Sequence, residues 1–181
     1  RKPVTVVVNE VKIAPFRDVI EAIGTATANE AVTVFPRYSG LVETVNFSDG
    51  QLVSKGQVLA TLRSEQEQAE VTELTANLAE AQSQLKRLTD LRRTNATSQS
   101  LLEEQQANTK GVAARLEKAT AQLAEMTIKA SFDGVLGLRL ISPGAFVSSS
   151  DQITTLDDIS VIKVDFTVPE RYLTTIAINQ P

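Results

Sequence analysis

The residues that could do chemistry are few, and their types matter more than their number. Among 181 residues there is no His and no Cys. Zinc-thiolate sites, disulfides, thiol nucleophiles, Ser-His-Asp triads and histidine general bases are therefore excluded together. The adjacent carboxylates Asp157 and Asp158 have no companion at metal-ligand spacing, and a single methionine, Met126, excludes a Met-rich soft-metal site. Eighteen Lys and Arg against 22 Asp and Glu leave a net charge of −4, the wrong sign for a duplex nucleic-acid binder. Neither catalytic, cofactor nor metal-binding residues can be named. What remains is the chemistry of surfaces, so the elements that build those surfaces come next.

Aromatic residues are 4% of the chain and Trp is absent, which favours thin modules with aliphatic cores. No apolar run reaches the roughly 18 residues that a membrane-spanning helix needs. All six prolines, and every glycine except Gly111, lie outside residues 64–127. The middle third is thus free to be helical, while the flanks read as strands and turns. Val4 to Val8, the imperfect alternation from Val11 to Ala28, Ala31 to Phe35 and Val161 to Val168 are the strand signals.

In the middle, Val71, Leu74, Leu78, Ala81, Leu85 and Leu88 step by threes and fours in the a/d rhythm of a heptad. Val112, Leu116, Ala119, Leu123 and Met126 repeat the rhythm. The upstream positions Leu102, Gln105 and Thr109 predict a looser seam there. Ser64-x-x-Glu67 and Ser100-x-x-Glu103 each fit a capping box. Glutamates crowd the start of the first helix and Lys86, Arg87, Arg92 and Arg93 its end, as the helix dipole favours. With Asn95 to Ser98 as the link, the helices must run antiparallel, each about 40–45 Å long. Two ordinary surface helices are the plainer alternative.

An internal repeat at an offset of 94 residues brackets this hairpin. Val34 matches Ile128, Gly40 matches Gly134, Gly50 matches Gly144, Val53-Ser54 matches Val147-Ser148 and Thr61-Leu62 matches Thr155-Leu156. Both copies place a glycine where a tight turn precedes a strand. Neither copy could bury an apolar face alone, but two facing copies could close a flattened sandwich.

This pattern resembles the biotinyl/lipoyl fold. The resemblance implies that a carrier lysine would lie on a tight turn between the halves. Helices occupy that junction here, and Lys55, in Ser54-Lys55-Gly56-Gln57, lies inside the first half and is read as solvated. The whole chain resembles the periplasmic adaptor (membrane fusion) proteins of tripartite efflux pumps. Pro36 to Gly40, Phe47 to Gly50 and Val53 to Leu59 carry the first half-motif, and Ile128 to Gly134 with Ser142-Pro143-Gly144 the second. The implied fold mixes β and α: a lipoyl-like β-sandwich (32–63 and 128–157) split by an antiparallel α-helical coiled-coil hairpin (64–127), with a partial β-barrel from 1–31 and 158–181. Val168-Pro169-Glu170 would enter that barrel.

In adaptors serving TolC-like channels, the tip carries Arg, three residues, Leu, six residues, Ser. Arg87, Leu91 and Ser98 have that spacing and are the implied channel-docking residues. On one nearly continuous helix they would share a stripe, Leu91 about 40° and Ser98 about 20° from Arg87. Arg87 falls at heptad position c and Leu91 at g, both off the seam. The plainer reading is a solvated Arg, a flanking Leu and a linking Ser. The resemblance further implies no enzymatic activity and no cofactor. It implies an inner-membrane transporter of the proton-driven resistance-nodulation-division (RND) type, a TolC-like outer-membrane channel, and self-association in a ring of six. Periplasmic location, with an N-terminal anchor outside this chain, goes with it. An adaptor of an ABC-type exporter, a lipoyl or biotin carrier and a cytosolic coiled-coil scaffold are the rivals.

Overall fold

A computed structural model describes residues 3–5, 7–13, 21–94, 96–172 and 177–178. The chain forms two compact units, Ala28–Lys163 and Arg1–Thr27 with Val164–Pro181.

In the larger unit the 94-residue repeat becomes a topology. Strands β1 (Gly24–Val34), β2 (Gly40–Val45), β3 (Leu52–Val53) and β4 (Val58–Leu62) precede two helices. Strands β5 (Thr127–Lys129), β6 (Gly134–Leu136), β7 (Phe146–Val147) and β8 (Thr154–Phe166) follow them. One sheet has the order β1-β8-β6-β3 and the other β5-β4-β2-β7. Exchanging each strand for its repeat partner converts one sheet into the other, so each sheet is completed by strands from both copies. The core obeys the same exchange. Val42 and Leu136, Phe47 and Ile141, Val53 and Val147, Leu59 and Ile153, and Leu62 and Leu156 are all buried in one cluster. Even the turn bonds recur: Gln51 N–H donates to Ser48 O at 3.2 Å, and Ala145 N–H to Ser142 O at 3.0 Å. Gly50 and Gly144 take φ of 68° and 83°, the left-handed region that favours glycine. Gly134 is required for another reason, since a Cβ there would lie 2.6 Å from the Asp157 carbonyl oxygen.

Helix α1 (Glu65–Arg93) and helix α2 (Gln99–Glu125) leave the sandwich between β4 and β5, which are antiparallel neighbours in one sheet. Leu62 N–H donates to Met126 O at 2.8 Å at the base of the pair. The helices pack on one another in antiparallel sense. Ala81, Leu88, Leu102, Val112 and Ala119 are their buried residues, all at a/d positions. The polar step in the seam is bridged rather than loose. Gln105 Nε2 donates to Ala81 O at 3.1 Å, and Thr109 Oγ1 lies 3.4 Å from the same oxygen. Ala81 is small enough for that approach.

Two start signals differ from the sequence reading. Ser64 is the N-cap of α1, but its side chain makes no capping bond. Helix α2 starts at Gln99, so Ser100 lies inside it and caps nothing. Ser98, with extended backbone (φ −80°, ψ 154°), accepts from Leu101 N–H instead. Glu103, expected to close a capping box, accepts from Gln99 Nε2 at 2.8 Å. The acidic first turn and basic last turn of α1 are as expected.

In the smaller unit, the described part of the Val4 to Val8 run forms no strand, and Val4, Val7 and Val8 are almost fully exposed. β-branched residues favour a strand only where a neighbouring strand takes their hydrogen bonds and a face is buried. Among the described residues no closed barrel is present. The segment after Pro169 forms a single 3-10 turn, Glu170–Tyr172, with the Arg171 guanidinium 4.7 Å above the Tyr172 ring.

Candidate docking surface

The site implied by sequence lies at the end of the helix pair distant from the sandwich. Arg87 is on the solvent side of α1, held by Gln84 Oε1, which accepts from its guanidinium one turn back. Leu91 is 46% exposed one turn further on. The helix then stops because the Leu91 carbonyl is claimed three times. Thr94 N–H (3.2 Å), Ala96 N–H (2.9 Å) and Thr94 Oγ1 (2.9 Å) all donate to it.

That stop corrects the single stripe. Counting 100° per residue cannot continue through a helix end, so Ser98 does not share a helical face with Arg87 and Leu91. Ser98 is the first residue of the returning arm, and its Oγ accepts from Leu101 N–H at 3.2 Å. The structure therefore brings Arg87 and Leu91 together on α1 and gives Ser98 the separate task of starting α2.

Charge around the tip is basic. Lys86, Arg87, Arg92 and Arg93 stand against Asp90 in the last two turns of α1. Arg93 Nη1 lies 3.6 Å from Asp90 Oδ1 with both side chains largely exposed, a contact worth at most about 1 kcal/mol. Arg92 Nε donates to Gln99 Oε1 at 3.3 Å and ties the two arms across the link. Leu101 is 45% exposed, and the sequence reading did not single it out.

The other candidate residues have structural partners. Lys55 sits in the β3–β4 turn beside Gly56 (φ 83°), and its backbone N–H donates to Asp133 Oδ1 at 2.6 Å. Asp158 accepts from Asn29 Nδ2 and from Ser160 N–H, both at 2.9 Å. These bonds, the Asn29 amide foremost, lower its pKa to about 2. Among the described residues no three acidic side chains are grouped to hold a metal ion. No helix among them is long and apolar enough to cross a membrane.

Fold and tip together define a barrel-sandwich hybrid whose two halves are exchanged between sheets and parted by a helix pair. Residues 30–158 match the family model of the CzcB-like barrel-sandwich hybrid domain, and the chain belongs to that family. Multidrug resistance protein MdtA of Klebsiella pneumoniae is 32% identical over 173 residues, covering 87% of this chain and 42% of MdtA. A putative efflux transporter from Bacteroides eggerthii is 27% identical with a TM-score of 0.72, over 86% of this chain and 48% of that one. A MacA-MexA chimera containing the Pseudomonas aeruginosa MexA α-hairpin domain is 25% identical with a TM-score of 0.78, over 86% and 58%. The chain spans less than half the length of MdtA. The expected kinship with membrane fusion (periplasmic adaptor) proteins is thereby borne out, and this family is non-enzymatic.

Proposed function

We propose that the chain is the channel-reaching part of an efflux adaptor, linking an inner-membrane transporter to a TolC-like outer-membrane channel. The transporter is of the proton-driven RND type, by the resemblance of the sequence. The heptads wind the helix pair as a coiled coil, and residues 1–31 with 158–181 contribute to a β-barrel completed by chain outside this segment. Six copies form a ring in the periplasm around an anchored inner-membrane assembly. One observation carries the docking part of this reading: the helix pair ends in a tip where Arg87 and Leu91 are displayed off the seam. An exposed ion pair contributes only about 0–1 kcal/mol. A decisive role for Arg87 therefore requires partial desolvation in an interface, or repetition around a ring.

The test is export by cells making the full-length protein with its transporter and channel. Arg87→Asp and Leu91→Asp abolish resistance without lowering adaptor abundance, whereas Lys86→Asp on the neighbouring stripe has a smaller effect. Normal resistance in both reversals, with cross-links to the channel only from elsewhere on the helices, would overturn docking at this tip. Dependence of export on ATP hydrolysis rather than on the proton gradient would reassign the transporter to the ABC type.

A further inference from the structure

The geometry points to Leu101 as a second apolar contact of the tip. Together with Leu91 it would form a two-leucine plug that seats in an apolar cleft rimmed by carboxylates on the partner protein. This inference rests on the docking reading above and names the surface chemistry of the partner.

Exposure supplies the first argument. Across the described parts of α1 and α2, Leu91 (46%) and Leu101 (45%) are the most exposed of the large apolar residues. Their seam neighbours Leu88 and Leu102 are 8% and 9% exposed. Both half-exposed leucines stand at the same end of some forty ångströms of helix, where exposed apolar surface marks a contact site.

Register supplies the second. Asn77, Gln84, Asn108 and Arg115 line one groove of about 460 Å³ on a single side of the helix pair. Seven residues beyond Gln84 on α1 is Leu91, and seven residues back from Asn108 on α2 is Leu101. In an antiparallel pair such steps preserve the face, so the two leucines flank the seam on that same side. The cross-link between Arg92 and Gln99 fixes this register at the tip.

Charge selects the occupant. Lys86, Arg87, Arg92 and Arg93 share the last two turns of α1 with Leu91, with Asp90 the only acid there, while Glu103 and Glu104 lie beyond Leu101 on α2. A second copy would bring the same cations tip to tip and be repelled, whereas a cleft edged with carboxylates is attracted and oriented.

Residues 1–181 contain no cysteine, so a single reporter thiol can be placed in the link without a second one nearby in this segment. The full-length protein, carrying Ala96→Cys in the link as a reporter, is produced with the outer-membrane channel and treated with a bifunctional thiol–amine reagent. Leu101→Asn lowers the yield of the channel adduct about tenfold, while Leu101→Met retains it. An unchanged adduct in Leu101→Asn, in a background where Arg87→Asp abolishes it, overturns the role of Leu101 and leaves docking at the tip standing. No channel adduct from the unaltered tip overturns the docking reading and this inference together. An adduct to a second copy of the chain overturns the choice of occupant.

Discussion

Ser98, grouped by spacing with Arg87 and Leu91, stands apart from them as the N-cap of α2. Its hydroxyl oxygen satisfies an otherwise orphaned amide of α2. Ser98→Ala should therefore cost about 1 kcal/mol of stability, read as a lowered melting temperature, with Ser98→Asp largely neutral. Ser64→Ala and Ser100→Ala should cost less, because neither side chain caps its helix. Asp158 makes a pH-dependent prediction. Its pKa of about 2 lies below the ordinary 3.8, held there first by the Asn29 amide and then by Ser160. The stabilisation is thus fully present above pH 4 and is lost as pH falls through 2. Asn29→Ala should raise the Asp158 pKa towards 3.8, followed by carboxyl-carbon NMR titration. An unmoved titration would show that Ser160 suffices.

Among the elements, the helix seam depends on closeness at Ala81. Gln105 and Thr109 reach the Ala81 carbonyl oxygen only because no larger side chain stands between the helices. Ala81→Leu should destabilise the pair by about 1–3 kcal/mol in chemical denaturation, through overpacking and the unpaired Gln105 amide it leaves. Gln105→Leu, which removes the polar partner and adds apolar surface, should be close to neutral. The heptad spacing was readable because aliphatic residues recur at fixed steps over about five turns of α1 and about four of α2. The polar step was not, since only the approach of Ala81 shows what Gln105 bonds to. The β-repeat was readable from Gly50 and Gly144, whose turn geometry few other residues tolerate. The described part of the Val4 to Val8 run is not a strand, since β-propensity reports fitness for a sheet rather than membership of one. Arg87 and Leu91 lie exposed on α1 one turn apart, as their spacing implies. That spacing could not place Ser98, because helix α1 ends through hydrogen bonds to the Leu91 carbonyl that no side-chain type announces.

For the whole molecule, the sandwich core and the helix pair are separate packing problems. Among the described residues, the core cluster takes Met126 from the base of α2 and no other residue of residues 64–126. Replacing residues 65–125 with a short Gly-Ser turn should therefore leave a folded β module, with Met126 retained because it is 4% exposed within that core. Amide dispersion in a proton–nitrogen NMR spectrum reports the outcome. A collapsed spectrum would show that the helices are needed to bring β4 and β5 together, and would remove the basis for treating the halves as one sandwich.

Because α1 and α2 grow directly from the adjoining strands β4 and β5, the sandwich fixes where the arm begins and residue count alone fixes where it ends. The arm is in effect a ruler with an index mark. Seven residues added to each helix would carry Leu91 and Leu101 about 10 Å further out while keeping them on the same side. Four added to each would swing them about 40° around the axis, so that a tip of unchanged composition would present its plug in the wrong direction. Length and aim are set by the same number, and only steps close to whole turns, such as seven, change the first with little change in the second.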